Sequence, residues 1–124
     1  MSAPLENISI LAELTALLTS LGIPVETGVF SSTPPNTYCV LTPIHEEFAL
    51  YADNMPVLDV AEVRISLFTR ENYTKLKNRI VKVLILADFT ITERRYVGRD
   101  DETGYFCLAV DVEKSYFVDM EGVE

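Results

Sequence analysis

Apolar residues recur at helical spacing at Ile10, Leu14, Leu17 and Leu21, with Ile8, Leu11 and Leu18 widening the stripe. That pattern predicts an amphipathic helix. Ser2 is placed to cap it and Pro4 to sit in its first turn, where a missing N–H costs nothing. Gly22 and then Pro24 end it, because Gly accepts left-handed backbone and Pro cannot continue a helix. A short strand is expected from Val25 to Phe30, closed by the loop SSTPPN. TYCVLTPIHEEFALY then reads as extended chain, with Tyr38 and Val40 on one face and Cys39 and Leu41 on the other. Pro43 cannot donate to a ladder, so an edge position or a bulge is expected there, with the segment resuming from Glu47 to Tyr51.

The most regular alternation follows. Ala61, Val63, Ile65 and Leu67 are interleaved with Glu62, Arg64 and Ser66, the mark of a half-buried antiparallel strand. Tyr73, Leu76, Ile80, Val83, Leu84 and Ala87 then fall on one helical face. Lys75, Lys77, Arg79 and Lys82 lie mostly opposite, with basic residues toward the C-terminal turns as the helix dipole favours. Thr90 to Val97 alternates around Arg94 and Arg95, GRDDETG is a charged loop bounded by Gly, and YFCLAVDVEKSYFV returns as a strand. The element order α-β-β-β-α-β-β predicts an α+β fold: an antiparallel β-sheet with two α-helices packed on one face.

At 124 residues the chain is expected to form a single domain over 1–124, with 1–4 and 119–124 frayed. Hydrophobic residues make up 48% and charged residues 23%, enough for a packed core. The net charge of −9 opposes both a sequence-independent grip on nucleic acid and docking on anionic lipid. No apolar run approaches the ~20 residues that span a bilayer. MSAPLENISILAEL lacks a basic region and carries Glu6 and Glu13, so it does not read as a signal peptide. Cys39 and Cys107 lack CxxC spacing and read as reduced core cysteines, although a disulfide between them stays open at this level.

Candidate chemistry is sparse. The single histidine, His45, lies on a proline-broken acidic strand, a poor setting for a Ser–His–Asp or Cys–His constellation. One His and two separated Cys do not make a zinc site. RDDETG clusters Asp100, Asp101 and Glu102 without the alternating ligands and distant Glu of a calcium loop. No GxGxxG or Walker-type loop occurs. Carboxylate pairs could be drawn from Glu46, Glu47, Asp53 and Asp59, but 19 acidic residues make such pairs common by chance. Arg94 and Arg95 could meet a carboxylate or phosphate, or simply pair across strands with nearby acids. The expectation is no enzyme, no cofactor and no metal.

The surface is more informative. Phe48, Leu50, Tyr51, Phe68, Phe106, Leu108, Tyr116 and Phe117 place apolar side chains on both faces of strands near their ends. Two helices cover one face of such a sheet, and an open second face or unpaired edge is usually finished by another subunit. An assembly protein is therefore expected.

LAELTALLTSLGIPVETGVF, TYCVLTP, YADNMPVLDVAEVRISLFTR, NYTKLKNRIVKVLILADFTIT and GYFCLAVDVEKSYF occur in that order and cover about Leu5 to Phe117. In these segments the chain resembles the small tail-completion, or tail-terminator, proteins of long-tailed bacteriophages and prophages of Gram-positive hosts. The most distinctive part is YADN leading into an alternating strand that ends in LFTR and opens a Lys-rich helix. The resemblance implies a ring, a hexamer, at the head-proximal end of the tail tube, which halts tube growth and joins tail to head. It implies as partners the chain itself, the tail-tube protein and a head–tail connector protein, with DNA passing through the ring without specific binding. Residence in the virion, and in host cytoplasm during assembly, follows. Another neck or connector protein, or a small ligand-binding regulatory domain, is the alternative.

On that reading Leu50–Pro56 is one interface patch, with Tyr51 and Met55 as anchors and Asp53 and Asn54 as hydrogen-bonding groups. The other reading is an intramolecular turn in which Asp53 or Asn54 caps its own backbone. The tip carrying Asp100, Asp101 and Glu102 is the second candidate, against a plain solvated turn.

Overall fold

The strand with the cleanest alternation is the middle of the sheet. In the computed structural model, which describes residues 9–27 and 34–118, β3 (Met55–Thr69) lies between β2 (Thr37–Ala52) and β5 (Phe106–Phe117). β1 (Val25–Thr27) and β4 (Thr90–Arg99) complete the order β1-β2-β3-β5-β4. The expected element order α-β-β-β-α-β-β is what the chain adopts. The pairings β2–β3, β3–β5 and β5–β4 are antiparallel, whereas β1 joins β2 in parallel, Val25 opposite Cys39, so the sheet is mixed. Alternation reports which face a side chain takes but not the direction of the neighbouring strand, and the parallel pairing left no trace in the pattern.

Both helices lie on one face. Leu14 and Leu18 of α1 (Ile10–Ser20) and Ile80 and Leu84 of α2 (Tyr73–Leu86) are buried with Cys39, Leu41, Val63, Ile65, Leu67, Val110 and Val112. Each helix ends in the same way. After α1, Gly22 takes φ 81° while Ile23 N–H donates to Leu18 O at 3.2 Å. After α2, Asp88 takes φ 69° while Phe89 N–H donates to Leu84 O at 3.0 Å. These are Schellman turns, which satisfy orphan carbonyls and drop an apolar residue back onto the helix. Ile23 and Phe89 are both buried as a result.

Local details depart from expectation. Ser9, not Ser2, caps α1, its side chain accepting from Ala12 N–H at 3.0 Å. Ser2 and Pro4, the end of the Val25–Phe30 segment, part of SSTPPN and the ends expected to fray lie wholly or largely outside the described residues. Pro43 does not interrupt β2; the register shifts between Pro43 and His45, which is the bulge that a missing donor calls for. In α2 the basic residues stop at Lys82, and the last turn carries none, leaving Ile85 and Leu86 exposed instead. Among the described residues no helix is long and apolar enough to cross a membrane.

Lys114 on β5 ties the layers together. Its ammonium donates to Glu13 Oε2 on α1 at 2.6 Å and to the Ala87 carbonyl at the end of α2 at 2.9 Å. It also stands 4.7 Å from the Phe89 ring centroid, and Tyr116 OH donates to Glu13 Oε1 at 2.9 Å. Burial, followed by that carboxylate, pushes the Tyr116 phenol up.

The two cysteines occupy opposite faces. Cys39 pairs with Leu67 and Cys107 with Phe68, and consecutive β3 residues point to opposite sides. Both thiols are free, and reaching one another would require breaking the sheet. Burial pushes the Cys39 thiol from 9.0 up to about 12. Because its pKa is raised by folding, it contributes stability that is complete below pH 9.0 and is lost as pH rises toward about 12. Three results are expected. Oxidation of the native chain forms no internal disulfide, and a chromogenic thiol reagent labels Cys39 only after unfolding. Cys39→Ala flattens the fall in urea midpoint between about pH 8 and pH 10.5, with Cys107, Tyr38 and Tyr116, all also raised by burial, supplying the remainder.

Candidate functional site

Asp53 and Asn54 are the two central residues of a hairpin turn, with φ of 53° and 64°. Positive φ at both positions belongs to a type I′ turn, whose twist matches that of the flanking strands, and Asp and Asn tolerate it better than most residues. The strands therefore run up to Ala52 and resume at Met55, where a longer loop over Leu50–Pro56 had been expected. Their shared tip is not packed into the core: Tyr51 is 57% exposed and Met55 47%. Phe48 and Tyr51 meet edge to face with centroids 6.4 Å apart, and Leu50 is exposed beside them. From Thr42 onward every β2 residue is exposed, so the outer part of β2 with the tip forms an apolar-studded arm.

The second candidate tip lies at the other end of the sheet. β3 has fifteen residues, which at ~3.3 Å each separates the two tips by about 45 Å. Asp100 is spent on its own turn: its Oδ1 accepts from Glu102 N–H at 2.9 Å, and its backbone N–H donates to Tyr105 O at 2.9 Å. The bond from Glu102 N–H, followed by one from the Thr103 hydroxyl, holds its carboxyl below the usual carboxylate range. Asp101 pairs with Arg99 at 2.8 Å, and Glu102 is exposed. Tyr51, Asp53, Asn54 and Met55 are thus gathered at one end, and Asp100, Asp101 and Glu102 at the other.

Beside the second tip is a recess that the sequence reading missed. Tyr38 stacks on Phe68 at 4.9 Å, and the Tyr105 ring meets Tyr38 edge-on at 5.5 Å. The Arg70 guanidinium lies 4.2 Å over Tyr105, fixed by bonds to Thr103 O at 2.7 Å and Asn36 Oδ1 at 2.9 Å. With Cys107 and Arg99 these groups line an open cavity of about 550 Å³. A signal existed: Phe68 is in phase with Arg64 and Ser66 on the polar face of β3, an odd place for an aromatic ring.

The face opposite the helices is charged at its centre. Arg64 Nε and Nη2 donate to Asp111 Oδ1 and Oδ2 at 2.9 and 3.0 Å, a bidentate fork across β3 and β5. The Asp111 hydrogen bond, aided by its charge, pushes the Arg64 guanidinium up. Of the residues expected to leave this face apolar, Leu108, Phe106 and Tyr116 instead pack with the helix-side core. The expected apolar second face is thus limited to the aromatic recess at one end and to exposed Phe117, opposite Leu58, at the other, while further uncovered apolar residues lie on the arm and on β4. His45, 57% exposed at its side chain, stands 3.7 Å from Glu47. Arg95 lies 4.0 Å from Glu93 on its own strand. Among the described residues no three His, Cys, Asp or Glu side chains converge where they could hold a metal ion.

No model of a known protein family matches this chain, and no curated protein matches it either.

Proposed function

We propose that the chain is a non-enzymatic structural subunit of a long-tailed phage or prophage, a tail-terminator or tail-completion protein. In this reading it forms a ring at the head-proximal end of the tail tube and joins tail to head. The observation that carries it is a set of separate apolar surfaces. Phe48, Leu50, Tyr51 and Met55 are exposed on the arm, while Tyr96 and Val97 are exposed on β4, beside the start of α2 where Tyr96 meets Tyr73, and Ile85 and Leu86 are exposed at the other end of that helix. A cyclic ring needs two different patches on each subunit, one for each neighbour. Exposed apolar residues gathered in this way mark contact surfaces more often than scattered ones do. The net charge of −9 suits a ring through which DNA passes without sticking.

The tail-tube protein and a head–tail connector are the partners of this reading. Negative-stain images of tail tubes mixed with the protein are expected to show a cap at one end. Uncapped tubes, together with normal infectious particles from a prophage lacking the gene, would sink the proposal. The recess beside Tyr105 favours a second reading, a small ligand-binding regulatory domain, since about 550 Å³ is ordinary for a ligand site. It ranks lower because Arg70 and Arg99 already have protein partners there.

A further inference from the structure

Two elements carry charge of a single sign. The arm with its return strand, residues 42–60, holds Glu46, Glu47, Asp53 and Asp59 and no Lys or Arg. α2 holds Lys75, Lys77, Arg79 and Lys82 and no acid; Glu71 and Asp88 flank it beyond its caps. Among the described residues none of these four cations forms an ion pair, whereas Arg64, Arg95, Arg99 and Lys114 each do. Lys75, Arg79 and Lys82 are spaced by four and three residues, so they stack on one helical face, where like charges repel. A chain with 19 acids leaves all three unneutralised.

That face points outward. Ile80 and Leu84 are buried against the sheet, while Lys75, Arg79, Lys82 and Leu86 recur at helical spacing on the exposed side. Leu86 is 73% exposed, with Ile85 exposed beside it. The stripe is thus basic for two turns and apolar at its end. The arm has the complementary make-up, since its acids are interspersed with the exposed apolar residues Phe48, Leu50, Tyr51 and Met55. They also lie on both faces. Glu46 pairs with Ala61 of the core and shares the helix side with Asp59, whereas Glu47 pairs with Val60 on the other side. Other charged surfaces fit less well. Asp100 is bound in its own turn, Asp101 holds Arg99, and no large apolar side chain is exposed in that loop. β4 mixes Glu93 with Arg94 and Arg95.

We propose that the acidic arm of one copy lies on the outward stripe of α2 in the next, its carboxylates facing Lys75, Arg79 and Lys82 and its apolar side chains covering Leu86. Arm on arm sets acid against acid, and α2 on α2 sets base against base, so both symmetric dimers are opposed. A phosphate backbone is the other polyanion such a stripe fits, but the net charge of −9 opposes it. The contact joins two different surfaces, the kind that either closes into a ring or propagates as a filament. It deepens the reading above and rests on it for closure into a ring.

The test uses the full chain alone, without tail tubes. Isotopically light and heavy copies are mixed at high concentration and treated with a zero-length carbodiimide, which couples a lysine to a carboxylate in contact with it. Mixed-label links from Lys75 or Lys82 to Glu46, Glu47, Asp53 or Asp59 are expected, with species past dimer on a denaturing gel. Arg79→Glu removes no coupled group and should lower those links at least fivefold. Two crippled copies then test the head-to-tail arrangement. Glu46→Arg/Glu47→Arg copies and Lys75→Glu/Arg79→Glu/Lys82→Glu copies should each give at least fivefold less coupled product than the native chain. Their mixture should recover dimer and nothing larger, since it offers one intact arm and one intact stripe. Native circular dichroism is the folding check, and should a multiple variant misfold, Glu46→Arg and Arg79→Glu copies take their places. Links from α2 that end on other acids as often as on the arm, or a yield indifferent to Arg79→Glu, overturn the contact. So does retention of double-stranded DNA that the triple variant loses, where the native chain shows no link to the arm. Capped tubes without these links would sink the contact and leave the ring reading standing; links without capped tubes would do the reverse.

Discussion

Replacing Ile65 by alanine is expected to lower the free energy of unfolding by about 3 kcal/mol. Ile65 is fully buried at the centre of β3, between Leu41 of β2 and Val110 of β5. Removing three carbons there loses their transfer free energy and leaves a cavity whose walls belong to three strands and cannot collapse freely. Against a total of about 5–15 kcal/mol for an ordinary domain, this is a large fraction. Urea denaturation should show a lower midpoint with an unchanged slope, since the fold buries the same surface. Ser66→Ala, one residue along on the other face, should stay within about 0.5 kcal/mol. Equal losses at both positions would contradict the one-sided core.

The neighbouring residue gives the second large effect by another mechanism. Arg64→Met leaves Asp111, whose side chain is 6% exposed, as a nearly buried carboxylate without its bidentate partner. Breaking a fully buried ion pair from one side costs about 3–5 kcal/mol. The Arg64 side chain is itself 37% exposed, so water screens part of the interaction and about 2 kcal/mol is expected. Replacing both partners, Arg64→Met with Asp111→Leu, should recover most of that loss, because no unpaired charge remains. A double-mutant cycle on urea midpoints measures the coupling. Simple addition of the two single losses would mean that the fork contributes little.

These two neighbours also show what could be read from the chain. β3 was legible because each of its faces carries one kind of residue, so period two alone separated Ile65 from Arg64. α2 was legible for the same reason at helical period. The start of α1 was misplaced because the apolar stripe continues back to Ile8, and only the bond from Ala12 N–H singles out Ser9 as the cap. The direction of β1 was invisible, since alternation has no sign. YADNMP was seen as a turn, but its length was not, because two consecutive non-glycine residues at positive φ are uncommon. The aromatic recess was missed because Tyr38, Phe68 and Tyr105 are far apart in sequence, and only the β2–β3 register and the bend after Arg99 bring them together.

The Asp53–Asn54 turn bears on the order in which the sheet forms. It joins strands of sixteen and fifteen residues through a two-residue loop, so closing that hairpin fixes almost no chain beyond the strands themselves. Hairpins of this kind form in about 1–10 μs. The β3–β5 pairing, by contrast, joins Ile65 to Val110 and waits for α2 and β4 to be gathered in. The arm that projects from the finished sheet is thus the most local part of its topology, and changes at Asn54 should act mainly on the folding rate.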